Sequence, residues 1–480
     1  MDRLSWLAAW SRRPWLVVAT IGLIAGLGFA LLTPPLTGYD EPSHFLRTYE
    51  VSEGHLIATQ YRNQLGGQVP AELPGALGRL LVDGMFSPDR TRFVKHLGDS
   101  AAGGPNTFID FAPSAVYSPV PYAPAALLMG IGRAVGASTL MLMYLGRIGS
   151  LLGTVGLLCF AVRRMPTRKW LFAAVALLPV TVLQSSMLSA DGVTIALALL
   201  VLALALNLAA TPRREVTKRQ LVEVGIATVA LGFAKPPYIL FSLAFVIAMR
   251  RHDRAVVRAL VASVAAGFAA TAAWGAYATS VYIPPNFRAA FGGVKLGTFT
   301  VYTHVNPSRQ ERNVLHHPWS FAQTIGRTVS TYWPNLTRET LTQVPLWKVP
   351  LLAVIAAAAI LGASVLLSDS RTPGASTPAP GTPSAPLLGW RSRAVLLAIA
   401  ATTFVALMLL AYTGWNAVGS PRVEAFQGRY LLPLVPITLI ALIPEGSVRR
   451  LTNWPVGRLL AASSGLLLVF VWLGLRNYFY

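Results

Sequence analysis

Two adjacent carboxylates open the chemistry of this chain. Asp40 and Glu41 lie in Thr37-Gly38-Tyr39-Asp40-Glu41-Pro42-Ser43-His44-Phe45-Leu46-Arg47, just after the first long apolar run. Pro42 suits the first turn of a helix. A helix beginning there puts Asp40, His44 and Arg47 near one face. Paired carboxylates at a membrane surface can act as a general base or hold a divalent cation. A plainer use is also open, since Asp40 is a good N-cap and Glu41 complements a helix dipole.

Five further groups carry charge or aromatic surface. Asp191, in Ser189-Ala190-Asp191-Gly192, lies between two apolar runs, where a lone acid is costly unless it serves a function or caps a helix. Lys235, in Lys235-Pro236-Pro237-Tyr238, could bind a phosphate or simply snorkel to the surface. Arg429, in Gln427-Gly428-Arg429-Tyr430, suits bidentate pairing with a phosphate. Arg147 could do the same or pair with a loop carboxylate. Tyr117-Ser118-Pro119-Val120-Pro121-Tyr122 could form a platform for a sugar or headgroup, or part of an aromatic belt.

The elements that must position these groups are membrane helices. Of the 480 residues, 54% are hydrophobic and 12% charged, where soluble chains carry roughly 25% charged residues. Mean hydropathy is +0.53. The net charge of +21 is distributed in clusters between apolar runs, which fits membrane orientation and excludes a nucleic-acid partner. The single cysteine, Cys159, excludes an intrachain disulfide and reads as a small core hydrophobe. No nucleotide-binding, zinc-protease or serine-hydrolase motif is present.

Placing the basic clusters on one side predicts an all-α polytopic fold of about eleven transmembrane helices. A cytoplasmic N-terminus, 1–14, precedes an uncleaved first span over 15–32. An N-terminal module, 15–280, includes a first outer loop at 33–137. A second large outer loop covers 281–349. The remaining spans lie in 350–480, interrupted by a Pro/Ser/Thr-rich cytoplasmic linker, 368–388. Intermediate spans are expected at 139–162, 170–188, 193–209, 221–234, 238–249 and 255–280, then at 350–367, 394–412, 430–443 and 459–475. The stretch 116–135 is apolar, but Pro119, Pro121 and Pro124 argue for an interfacial or re-entrant helix on the outer face. Most acids and histidines fall on that face, so the active surface is expected there.

The order of these motifs resembles a bacterial membrane family known as domain of unknown function 2142. The resemblance runs through Asp40-Glu41-Pro42-Ser43-His44-Phe45, Tyr117-Ser118-Pro119 with Tyr122, Leu145-Gly146-Arg147 and Ser189-Ala190-Asp191. It continues through Lys235 with Tyr238, Asn306-Pro307 before His317-Pro318, and Gly428-Arg429-Tyr430 before Pro433. That family in turn resembles, by architecture, membrane glycosyltransferases of the C-type (GT-C) fold. These carry an acid directly after span one, often another in the next outer loop, and interfacial helices in the first outer loop. The resemblance implies an inverting transfer of sugar from a polyprenyl-phosphate donor to an envelope glycan, lipid or protein. This would occur on the outer face of the bacterial cytoplasmic membrane.

In that expectation Asp40 and Glu41 are catalytic. His44, Arg47, Tyr117, Tyr122, Arg147, Lys235, Tyr238, Gln427, Arg429 and Tyr430 bind substrate or its lipid phosphate. Asp40 and Asp191 would share a divalent cation, Mg2+ or Mn2+, if one is used. The rival expectation is a non-catalytic carrier that moves a lipid-linked saccharide between leaflets.

Overall fold

A computed structural model of the chain describes residues 10–38, 40–86, 91–283, 305–342, 351–367, 388–424, 426–444 and 456–479. The expected linker 368–388, apart from Leu388, and parts of the second outer loop lie outside them.

Helix α1, Pro14–Leu32, starts on a proline that needs no intrahelical donor partner. Helix α2, Glu41–Ser52, follows a short turn. Then come strands β1, Thr59–Tyr61, and β2, Gln64–Pro70, helix α3, Leu73–Leu81, and strand β3, Asn106–Asp110. The three strands form an antiparallel sheet in the order β1-β2-β3, with Gly66 opposite Asp110 and Pro70 opposite Asn106. The all-α expectation is corrected here. Gln64-Leu65-Gly66-Gly67-Gln68 lacks the alternating β-branched pattern that announces a strand. Gly66 is needed because a Cβ there would lie 1.8 Å from the Ile109 carbonyl oxygen. Phe45, Leu65, Leu73, Phe111 and Met129 belong to a separate core beneath this sheet-bearing segment.

Helix α4, Ala123–Ala134, is a 12-residue element, about 18 Å long and too short to cross an apolar layer of about 30 Å alone. It packs against α2 and against helix α5, Thr139–Arg164. The approach to α5 is close, since a Cβ on Gly149 would lie 2.4 Å from the Pro124 carbonyl oxygen. Ser138 caps α5 by accepting from Met141 N.

The expected span 170–188 is interrupted. It forms α6, Lys169–Ala176, and α7, Pro179–Ser185, because Pro179 cannot donate to a continuing helix. Next is α8, Asp191–Ala210, whose uniformly apolar sequence is explained by its place in the interior, 89% of its central window being buried. Helix α9, Lys218–Ala234, opens on a capping box of Thr217 and Gln220. A nine-residue 3-10 stretch, Pro236–Ala244, then leads into α10, Phe245–Met249.

Helix α11, Arg254–Val281, packs along α9. Beyond it lie α12, Pro307–His316, α13, Pro318–Leu341, and α14, Leu351–Leu367. The chain finishes with α15, Trp390–Trp415, α16, Leu434–Leu442, and α17, Val456–Phe479.

Among the described residues, α1, α5, α8, α11, α15 and the 457–474 part of α17 are long and apolar enough to cross a membrane. Shorter apolar helices lie at Pro236–Met249 and Leu352–Ser364. The architecture is that of a polytopic membrane protein with six such helices, and several of the other expected spans are short or broken.

Candidate functional site

Arg147 and Glu41 form the base on which the site rests, and neither side chain has any exposed surface. Arg147 Nε and Nη2 donate to Glu41 Oε1 and Oε2 at 2.8 and 2.6 Å. Its Nη1 donates to the carbonyls of Ala30 and Thr33, and its Nη2 to that of Pro34. The arginine therefore satisfies carbonyls at and just past the C-terminus of α1 that have no helical partner. Glu41 also accepts from Gly38 N and Leu188 N, each at 3.2 Å. This one pair joins the end of α1, the start of α2, α5 and the turn before α8. Both residues were expected at the site, and the structure commits them to this junction instead.

Arg47 is likewise buried and pairs with Glu50. It donates to Tyr117 O from Nε (3.2 Å) and Nη2 (3.0 Å), and to Leu56 O. The guanidinium thus holds the aromatic segment against α2. Burial pushes the Glu50 carboxyl up to about 7, against the opposing pull of Arg47. Ser43 reinforces this contact, its hydroxyl 2.7 Å from that of Ser114.

Above this floor, cations from two distant parts of the chain meet one acid. Asp191 begins α8, and its N–H donates to Ser189 Oγ. Lys235 Nζ donates to Asp191 Oδ1 at 3.2 Å, and Arg429 Nε to Oδ2 at 2.6 Å. All three side chains are at most 10% exposed. Lys235 Nζ also lies 3.5 Å from the centre of the Tyr430 ring, a cation–π contact. Tyr238 Oη donates to Tyr430 O at 2.7 Å, which locks the 3-10 stretch to the Arg429 segment. Asp191 thus holds two cations together in a largely buried place, where charges persist only when paired.

Asp40 lies within electrostatic reach of Arg429 in this cluster. It is exposed, its backbone is left-handed (φ 54°), and its side chain makes no capping bond. Aspartate tolerates that conformation better than most residues. The capping role is therefore absent, and the carboxylate is not consumed by its own helix. Asp40 is close enough to His44, Tyr122 and Arg429 to influence each electrostatically. His44 Nδ1 lies 2.7 Å from Tyr122 Oη. Burial holds the imidazole below its usual range despite the nearby charges of Asp40 and Asp191. Burial also raises the Tyr122 phenol, so that group keeps its proton and can donate to a neutral His44.

The segment carrying Arg429 is held from outside by α13. Glu339 Oε2 accepts from Gly428 N at 2.6 Å, and Thr340 Oγ1 donates to Gly428 O at 2.8 Å. Thr328 Oγ1 accepts from Val423 N. A Cβ on Gly428 would sit 2.2 Å from the Leu336 carbonyl oxygen, so only glycine permits this approach. Burial raises the Glu339 carboxyl. No local sequence pattern links Glu339 to a residue 89 positions away. The same holds for Ser43 and Ser114, whereas Glu50 pairs with Arg47 at a helical i,i+3 spacing that the sequence carries. Gln427 is half-buried, and its Oε1 has no hydrogen-bond partner among the described residues.

The donor set does not fit a divalent cation. Both Asp191 oxygens face cationic groups, and no cluster of three or more His, Cys, Asp or Glu side chains forms among the described residues. Of the expected binding residues, His44, Tyr117, Tyr122, Lys235, Tyr238, Arg429 and Tyr430 are brought into one neighbourhood with Asp40 and Asp191.

A family described as "Predicted membrane protein (DUF2142)" matches residues 23–438. The chain belongs to this family. Every DUF2142 residue of the cluster, from Asp40 to Arg429 and Tyr430, falls within that match. No curated protein and no solved structure matches the chain.

Proposed function

We propose that this DUF2142 protein is an inverting glycosyltransferase of GT-C-like architecture, crossing the bacterial cytoplasmic membrane about eleven times with its N-terminus in the cytoplasm. The donor is a polyprenyl-phosphate sugar and the acceptor a hydroxyl of an envelope glycan, lipid or protein on the outer face. Asp40 takes the proton of that hydroxyl. The acceptor oxygen forms a bond to the anomeric carbon as the bond from that carbon to the phosphate oxygen breaks. The electron pair leaves on the lipid phosphate, whose growing charge Lys235 and Arg429 stabilise. His44, Tyr117, Tyr122 and the Gln427 oxygen orient sugar hydroxyls. No metal takes part in this scheme.

The observation that carries this reading is an exposed, uncapped carboxylate, Asp40, within electrostatic reach of Arg429, which together with Lys235 pairs with Asp191. A general base and an anion site are the two things a phosphate-activated sugar requires. The test is sugar transfer in proteoliposomes with extracted polyprenyl-phosphate sugars and envelope acceptors, comparing wild type with Asp40→Asn. Transfer by the wild type that is lost in a well-folded Asp40→Asn supports the enzyme. Movement of the labelled lipid-linked sugar between leaflets, without transfer by either protein, would replace it with the carrier.

A further inference from the structure

At the opposite end of α8 from Asp191, about 30 Å away along a helix of this length, the molecule carries a second, unrelated cationic site. A cavity of about 360 Å³ is lined by Phe160, Arg163, Arg164 and Arg219. Two of these arginines end α5 and the third lies in the first turn of α9. Glu223 pairs with both Arg164 and Arg219, so two of the three guanidiniums share one carboxylate.

The guanidiniums are ordered by ring contacts. Arg163 lies over the Trp15 ring at 5.1 Å and Arg164 over the Phe160 ring at 4.9 Å. The buried Arg164 Nε has no hydrogen-bond partner among the described residues, and a buried N–H calls for an acceptor. Lys169 is near enough for Arg163 to act on it, adding to the positive potential.

Exposed apolar side chains lead away from the cavity. Val222 and Ile226 follow Arg219 on α9 at helical spacing, and Leu152 precedes Phe160 on α5. Gly156 lies between Leu152 and Phe160, and a Cβ there would meet nothing within 4 Å.

We infer that this cavity binds the anionic phosphate headgroup of a phospholipid, with its acyl chains along the α5 and α9 stripes. Basic cavities at the ends of membrane helices suit such headgroups. The apolar stripes favour a lipid over a free phosphate, which would have no use for them.

The experiment is lipid retention by the full-length protein in neutral detergent, read by native mass spectrometry with phosphatidylglycerol or phosphatidylcholine, together with thermal protection by each lipid and by inorganic phosphate. The variants are the exposed pair Arg163→Ala/Arg219→Ala and a charge-matched control, Arg254→Ala/Arg258→Ala. The expected result is retention of phosphatidylglycerol over phosphatidylcholine, weakened about tenfold or more in the first double variant and kept in the control. Equal loss in both double variants would show diffuse charge attraction and overturn the site. Protection by inorganic phosphate as strong as by phosphatidylglycerol would overturn the lipid assignment.

Discussion

At Asp191 a carboxylate is clamped between two cations, whereas at Asp40 it is exposed and makes no capping bond, so the same change has different consequences at the two positions. Asp191→Asn leaves Lys235 and Arg429 close together without their counter-ion. Removing one partner of a buried ionic group costs about 3–5 kcal/mol, so the thermal midpoint in detergent should fall sharply. Asp40→Asn should leave that midpoint nearly unchanged while abolishing transfer. Glu50 predicts a pH effect. Its carboxyl is raised to about 7 in the folded chain, while an unfolded one titrates near about 4.3. Between those values the folded state binds the proton and the unfolded state does not. The contribution of this residue to stability therefore grows as pH is lowered from about 7 to about 4.3, and is constant beyond either limit. Thermal midpoints of wild type and Glu50→Gln across pH 4–8 check this: the difference between the two curves should change only inside that window. Single charged residues flanked by apolar runs were readable in the sequence, because burying them demands a reason; Asp191, Lys235 and Arg429 are of this kind. Glu41, Arg147 and Arg47 were equally visible as charges. The pairing of Arg147 with a loop carboxylate was one of two readings open to it, but the choice of Glu41, and the hold of Arg47 on Tyr117, come from contacts that only the fold supplies.

Among the elements, α13 has the least obvious job. It holds the 423–430 segment through Thr328, Glu339 and Thr340, and thereby sets the position of Arg429. Gly428→Ala forces the Leu336 carbonyl and the Arg429 segment apart, an overpacking of about 1–3 kcal/mol. The expected outcome is a folded protein with weakened donor binding, measured with a fluorescent polyprenyl phosphate. A variant that fully retains donor affinity would show that α13 does not set the position of Arg429. Within the stretch 116–135, expected as an interfacial or re-entrant helix, the structure has the 12-residue helix α4 packed on α5. The long apolar helices were legible because composition alone decides them. The break at Pro179, the 3-10 stretch after Lys235 and the small sheet were less so. A proline in an apolar run can kink a helix or end it, and a Gly-rich strand carries no periodic signal.

On the scale of the whole molecule, the Arg147–Glu41 pair ties the segment after α1 to the long apolar helices, and it predicts a particular non-additivity. Arg147→Met alone strands a buried carboxylate and should destabilise by about 3–5 kcal/mol, whereas Arg147→Met with Glu41→Gln should cost much less than the two single changes summed. A double-mutant cycle on thermal stability in detergent measures it. The interior position of α8 has a consequence for how the chain is made. Its apolar surface is at home in lipid, so the ribosome can release it into the bilayer before its later neighbours exist. Leaving lipid for protein brings no gain from water exclusion. The late-synthesised residues 428–431 are tied to α8 by the ion pair from Arg429 to Asp191 and to the 3-10 stretch by the bond from Tyr238 to Tyr430, both formed only once residues 429 and 430 have been made. These contacts are among the last to form, so a chain interrupted before residue 429 would leave Asp191 with Lys235 and without the Arg429 guanidinium.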